Sequence, residues 1–529
     1  MKKIFLGFTC LAFVGLSTAC HEFLEENPKT DITAGQYFSY PTHAHAAVNH
    51  LYRNGFIEAW DAGVYRGADA MLGNYLSGLY DNEYAGQEAF IQYSLTLTLN
   101  PQNMNSKTGE VWERGYKGVA RANTAIKYIP DTPGLTESEI NSLVAQAKFF
   151  RALNYFYLTK HFGAIPLILE PYESLEDLYV ERTPVATIYS QIITDLTDAI
   201  QSGSLNNETF VKNGYRITLG TAQTLLAHVY MQMTGSPLND ESAFAKAAEM
   251  ARTVIRDTPY SLTTHDDFGK GSAYNKLRTI DNLDEIIYAR EADATHSSAT
   301  SWTQIAFPGN KLLPVMQFSI ANQAYRPSAV ILGAYHADKD LRIQEKQFFF
   351  TEFEYTDANG ITQVEPLGQT APYHFYNEEA TLVTGRSSKD RYVYRYAEVL
   401  LIAAEAIART EGVTSEAIGY LADVRGRAYY GDREAALSEL QSITGTSQFI
   451  EEVWKERVRE LVYDFRLWDD VQRTGKYPVS ASNGDITFRD VIGAQNPRGA
   501  TFEAKHLLWP LPVSEMQRNP ALGTDNNGY

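Results

Sequence analysis

The sequence predicts a mainly α protein, an α-superhelix of about four helix pairs with a large irregular mixed α/β insertion mounted on it. Three observations carry that reading. Apolar residues recur at helical spacing in paired stretches: Ala222, Leu225, Leu226, Val229 and Tyr230, then Ala243, Ala247, Met250, Ala251 and Val254. Small residues fall where paired helices would cross closely. The last such pair begins near residue 394, far from the others, so residues 261–390 must leave the array and return. At 529 residues the chain exceeds the usual single core. With 44% hydrophobic and 21% charged residues it is globular rather than disordered.

Residues 1–19 are read as an export signal rather than as fold. Lys2 and Lys3 give a positive start, and residues 4–16 form an apolar run too short for a stable bilayer span. Ser17, Thr18 and Ala19 then lead to Cys20. This is similar to a lipoprotein signal, in which the Cys20 thiol is acylated and the chain is cut before it. Ser17 stands where such signals usually carry Leu, and the alternative is an ordinary cleaved signal. Only Cys10 and Cys20 are present. A chain cut and acylated at Cys20 keeps no thiol for a disulfide, a metal site or a nucleophile. Glu22, Glu25 and Glu26 follow the cysteine, as in lipoproteins exported to face the cell exterior. The formal net charge is −18, which repels phosphate backbones and argues against nucleic-acid partners.

Residues 20–40 form a tether, with turn residues at Asn27-Pro28 and Thr30-Asp31. The helical core spans 41–260 and opens with a helix over 44–55. Residues 56–110 break the periodicity and are rich in Gly, Asn and Tyr. Long irregular stretches inside a compact protein are usually functional or mobile. A helical hairpin follows, 111–128 with 137–160, where Thr136 is the N-cap and Glu139 completes a capping box. Two apolar stripes on its second helix, Leu143, Ala147, Phe150 and Tyr157, and Phe149, Leu153 and Phe156, bury it between neighbours. Gly163 stops it. A helix over 185–202 and the pair 218–234 with 242–256 continue the array. With the pair 394–408 and 414–427 they are similar to tetratricopeptide repeats, giving about four tetratricopeptide-like pairs. In the insertion, Asp357-Ala358-Asn359-Gly360 between two extended runs predicts a β-hairpin. The C-terminal part, 391–529, holds an amphipathic helix over 451–471. Its Arg457, Arg459 and Arg466 alternate with Glu456, Glu460 and Asp464, and are expected to pair along the helix for a few tenths of a kcal/mol per pair.

Six motifs in order resemble the SusD/RagB-like nutrient-binding outer-membrane lipoproteins. They are Cys20 with Phe23-Leu24, Pro28, Ile32-Thr33 and Tyr37-Phe38; Arg151-Ala152 to Leu167; Arg216 to Met231; Arg395 to Ala406 followed by Val424 to Ala428; Glu456-Arg457 to Lys476; and Leu508 to Tyr529. One departure is visible: Asp464-Phe465 stands where the family usually has Glu-Gly. The resemblance implies a non-catalytic protein anchored by lipid on the outer face of the outer membrane. It would capture an oligosaccharide or polysaccharide and pass it to a SusC-like TonB-dependent transporter. Two other readings stay open: the same fold binding peptides or other nutrients, as in the RagB branch, or a tetratricopeptide-type scaffold for protein partners.

The family's ligand residues lie in variable loops, so the resemblance assigns none. Sugars offer flat C–H faces that stack on Trp and Tyr, and hydroxyls that pair with Asn, Asp, Gln and Arg. Loops carrying both run over 60–110 and 295–326. The candidates are Trp60, Tyr65, Tyr75, Tyr80 and Trp302 as stacking platforms, with Arg66, Asp81, Asn82 and Asn310 as hydroxyl partners. Trp112, Trp454, Trp468 and Trp509 lie on helices or in the terminal motif and are expected to be structural. The chain has no H-E-x-x-H, G-x-S-x-G, P-loop or paired-Cys signature. Asp266-Asp267 lacks EF-hand spacing, and chance carboxylate pairs among 64 acids do not define a glycosidase. No catalytic residue, metal or cofactor is expected.

Overall fold

The computed structural model describes residues 34–56, 73–82, 89–172, 178–295, 300, 302–305, 307, 313, 315–316 and 323–529. Cys20, Trp60, Tyr65, Arg66 and Asn310 lie outside the described residues. No described helix is long and apolar enough to cross a membrane.

The first long hairpin pairs α2 (Pro101–Tyr128) with α3 (Glu137–Phe162), behind the shorter α1 (Pro41–Leu51). Asn100 caps α2 through the amides of Gln102 and Asn103. Thr136 and Glu139 cap α3 reciprocally, as the sequence predicts. Such caps satisfy amides that otherwise have no partner in the first turn. In α3 every residue from Phe149 to Phe162 is buried, so burial extends beyond the two apolar stripes to the polar positions. Arg151 resolves this by a bidentate pair with Asp195, at 2.7 and 2.8 Å. Asp195 belongs to α4 (Val185–Gln201), so the pair also sets the register of that helix on α3. Gly163, with φ 72°, ends α3 in the region glycine tolerates.

The array continues through α5 (Leu219–Met233) and α6 (Ala243–Asp257). Helix α6 then packs directly on α7 (Tyr396–Glu411), which is followed by α8 (Ser415–Ala428), α9 (Arg433–Gln441) and α10 (Thr446–Glu460). Arg252 on α6 holds Glu411 at 2.7 Å and Glu416 at 2.6 Å across that junction. The superhelix is therefore continuous although the chain is not. The intervening residues depart and return through one ladder, β2 (Ile286–Arg290) antiparallel to β6 (Arg391–Arg395). Within them β4 (Phe349–Thr356) and β5 (Thr362–Pro372) form the expected hairpin. Its turn is held by the Asp357 carboxylate, which accepts from the amides of Asn359 and Ile361. Phe307, Met316, Phe350, Phe353, Leu367 and Ala371 form a small core of their own beneath the hairpin.

The 451–471 stretch differs from the expected single surface helix. Helix α10 ends at Glu460, the chain turns through Phe465 at φ 61°, and α11 (Leu467–Thr474) follows. Its charges are buried and pair mostly between elements. Arg342 of the insertion, fully buried, reaches Asp340, Glu456 and Glu460 at 2.7–2.9 Å. Arg395 and Arg427 both bridge Glu285 to Glu460. Burial opposes ionisation of Glu456, but Arg342, Arg459 and Arg425 together hold its carboxyl well below the usual range. Alternation of Arg and Glu reads as a solvated face only when the partners are local. Here they come mostly from other elements, 31 to 118 positions away. Trp468 and Trp509 are buried as expected of structural residues.

Candidate ligand-binding site

The two loop stretches that carry ligand-type residues are joined. Strand β1 (Tyr80–Asp81) pairs antiparallel with β3 (Arg326–Pro327), setting Tyr80 opposite Pro327 and Asp81 opposite Arg326. Gly78 precedes this pairing at φ 69°, and a Cβ there would lie 2.7 Å from Asn496. Asn496 in turn organises a tight turn, accepting from the amides of Arg498 and Ala500 at 2.9 and 3.1 Å. That turn delivers the Arg498 guanidinium to Asp81.

Asp81 is the polar centre. Its carboxylate accepts from Arg326 Nη2 at 2.6 Å, from Arg498 and from the amide of Asn82 at 2.8 Å. Burial would raise its pKa, but the Arg326 and Arg498 hydrogen bonds outweigh it and hold the carboxyl below its ordinary value. Arg326 also donates to Gln369 Oε1 at 2.6 Å. The side chains of Arg326 and Arg498 remain 34% and 44% exposed. Two guanidinium groups and a carboxylate at the surface provide donors and acceptors in the mixture that hydroxyl-rich ligands use.

Beside this cluster runs an aromatic stack. Tyr325 stacks on Tyr75 at 5.1 Å and on Trp302 at 5.3 Å. The Arg391 guanidinium sits 3.7 Å over the Trp302 ring. Phe465 packs against both Trp302 and Tyr325, at 5.5 and 5.3 Å. Three residues at this stack hold left-handed backbone without being glycine: Gln323 (φ 36°), Tyr325 (φ 58°) and Phe465 (φ 61°). Each costs on the order of 1–3 kcal/mol, and such strain concentrates at ligand clamps. A cavity of 40 Å³, room for roughly two or three waters, lies against Trp302, Arg391, His374 and Asp464. Burial first, and the nearby arginines second, keep His374 neutral by lowering its pKa.

Of the described candidates, Asp81 alone remains partly exposed. Tyr75 and Tyr80, expected as platforms, are 0% and 1% exposed, and Trp302 is 5% exposed. The β1–β3 pairing turns the tyrosines inward, where Tyr325 takes a face of Tyr75 and the Tyr80 hydroxyl donates to the Val462 carbonyl. Asn82 is also buried and donates to the Tyr75 hydroxyl at 3.1 Å. These residues therefore support the site from beneath. Arg498 and Gln369 were not among the expected residues. Arg498 had one available signal, an exposed arginine in the turn-forming run Asn496-Pro497-Arg498-Gly499.

A superhelix of helix pairs carrying an inserted subdomain is the architecture of the SusD superfamily. A SusD superfamily protein from Parabacteroides distasonis shares it at TM-score 0.80 and 27% identity, over 92% of this chain and 99% of that one. Surface glycan-binding protein A from Bacteroides thetaiotaomicron, solved in complex with laminarihexaose, shares the fold at TM-score 0.69 and 17% identity, over 92% and 100%. SusD-like protein P2 of Formosa agariphila is 28% identical over 100% of both chains. The chain belongs to the SusD family: the family described as "SusD family" matches residues 223–529, and that described as "Starch-binding associating with outer membrane" matches residues 23–231.

Proposed function

We propose that this protein is a non-catalytic surface lipoprotein that captures an oligosaccharide or polysaccharide and hands it to a SusC-like TonB-dependent outer-membrane transporter. The observation that carries the glycan reading is the junction at Asp81. There two distant loops and the Asn496 turn converge, leaving Arg326 and Arg498 accessible beside a braced aromatic stack. The relative solved with laminarihexaose supports the ligand class. The lipid anchor on Cys20 and the outward orientation rest on the signal-like N-terminus. The candidates Trp60, Tyr65, Arg66 and Asn310 belong to the same two sequence stretches and are proposed as further ligand contacts.

Native affinity electrophoresis of the mature chain in gels containing individual polysaccharides tests the capture. Retardation by at least one polysaccharide, weakened by Arg326→Ala or Arg498→Ala, is expected. Binding to a peptide panel with no retardation by any polysaccharide would overturn the glycan reading. Co-purification with an outer-membrane barrel from solubilised membranes tests the delivery step.

A further inference from the structure

A groove of 770 Å³ crosses the inserted subdomain beside the β4–β5 hairpin, within the roughly 300–1,000 Å³ common for ligand sites. Its floor is aromatic: the rings of Tyr373 and Tyr376 stack at 5.2 Å and 16°, both half-buried. They rest on Phe350 and Phe353 of the small core. Arg278 lies over Tyr373 at 4.3 Å. It is fixed there by the Asn275 side chain, at 2.8 and 3.0 Å, and by the Tyr376 carbonyl at 2.7 Å. The platform is thus rigid before any ligand arrives, which lowers the ordering cost of binding. Arg278, Tyr376 and Asn377 also line the cavity against Trp302. The groove therefore adjoins the small cavity beside the aromatic stack.

The rim carries charge of one predominant sign. Glu352, Glu354, Glu378 and Glu379 line it against two lysines, Lys270 and Lys346, the latter engaged with Glu354 at 3.4 Å. On a chain of net charge −18, such a rim disfavours ligands bearing carboxylates or sulfates along their length. Half-buried rings between acidic edges suit a neutral sugar chain, with C–H faces on the rings and hydroxyls toward the carboxylates.

We infer that the Tyr373–Tyr376 groove is a second subsite of the glycan site, and that it takes the continuation of a neutral, extended oligosaccharide. This rests on the glycan reading above. The two subsites would share one chain, so affinity should grow with ligand length until both are filled.

The test uses affinity electrophoresis against neutral polysaccharides (laminarin, soluble starch, xylan, galactomannan, inulin) and polyanionic ones (alginate, carrageenan). Oligomers of the retarding polysaccharide are then titrated by calorimetry. A neutral polysaccharide should retard the protein. Tyr373→Ala should weaken the hexamer roughly tenfold while leaving the trimer unchanged. In the unmodified protein, hydrogen exchange across residues 373–379 should slow with the hexamer and not with the trimer, a readout independent of how the variant folds. Retardation by a polyanion alone overturns the neutral class. Unchanged hexamer affinity in the variant, with no protection of 373–379, overturns the subsite and leaves the glycan reading intact. No retardation by any polysaccharide removes both.

Discussion

The rings of Phe465 and Tyr325 lie 5.3 Å apart, and both residues hold left-handed backbone, at φ 61° and 58°. Phe465 also contacts Trp302, and Arg391 lies 5.0 Å over its ring. An unfavourable turn is thus retained because the side chain it aims is buried at the aromatic stack. Phe465→Gly relieves the backbone but empties the ring's place, and should destabilise by about 2 kcal/mol. Phe465→Ala keeps the strain and should cost about 1 kcal/mol more than the glycine. The order Gly above Ala in urea midpoint reverses the usual helix ranking. An alanine variant as stable as the glycine variant would remove the claim of strain.

Asp81 ties Arg326 and Arg498, so Asp81→Asn should cost about 1 kcal/mol at neutral pH, given its partial exposure. Its folded pKa is depressed below 3.8. The contribution is therefore present above that value and lost as pH falls through the folded pKa. The gap in melting temperature between the variant and the parent should narrow on acidification below about pH 4. A gap that widens there would contradict the sign.

Asp390 behaves oppositely. Burial first, and the neighbouring Asp281 second, raise its pKa to about 7. The folded state then holds a proton that the unfolded chain has released, so stability falls as pH rises from near 4 toward 7. Asp390→Asn keeps an acceptor for the Ala292 amide and removes this titration. Its stability advantage over the parent should grow between pH 5 and 8 by roughly 1–3 kcal/mol. Parallel stability profiles of the two proteins would reject this.

Arg342 is enclosed by Asp340, Glu456 and Glu460 with no exposed surface. Arg342→Ala removes the cation paired with Asp340 and takes one partner each from Glu456 and Glu460, and should cost about 3–5 kcal/mol in denaturant unfolding. A loss under about 1 kcal/mol would mean the network is hydrated rather than closed.

The lipid proposed on Cys20 predicts that Cys20→Ser moves the protein from the membrane fraction to the soluble exported fraction. Unchanged fractionation would remove the lipid anchor from the account.

The helical hairpins were legible because their signals are local. Thr136 with Glu139, the 3.6-residue apolar spacing and Gly163 all act within a turn or two. The Asp357 turn was legible for the same reason. Glu456 and Glu460 were misread because their partners, Arg342, Arg395 and Arg427, are brought in by tertiary folding. At the candidate site, Asp81 was among the expected residues but its partner Arg498, 417 positions away, was not. Ring chemistry alone cannot separate a platform from a support, so Tyr75 and Tyr80 read as surface groups although the β1–β3 pairing encloses them. The substitution of Phe465 for a usual glycine was the one sequence signal that pointed to the strained stack.

The β2–β6 ladder gives the insertion a common doorway. Its two ends lie as neighbouring hydrogen-bonded strands, Arg290 opposite Arg391, while α6 and α7 close behind them. Lengthening an exposed loop between them, such as the Asp357 turn, adds only a loop-closure entropy that grows with the logarithm of length. The superhelix can therefore keep its packing while exposed loops of the insertion are rewritten, provided Arg342, Trp302 and Tyr325 keep their contacts with Glu456, Glu460 and Phe465, which is a route by which one scaffold acquires a new ligand.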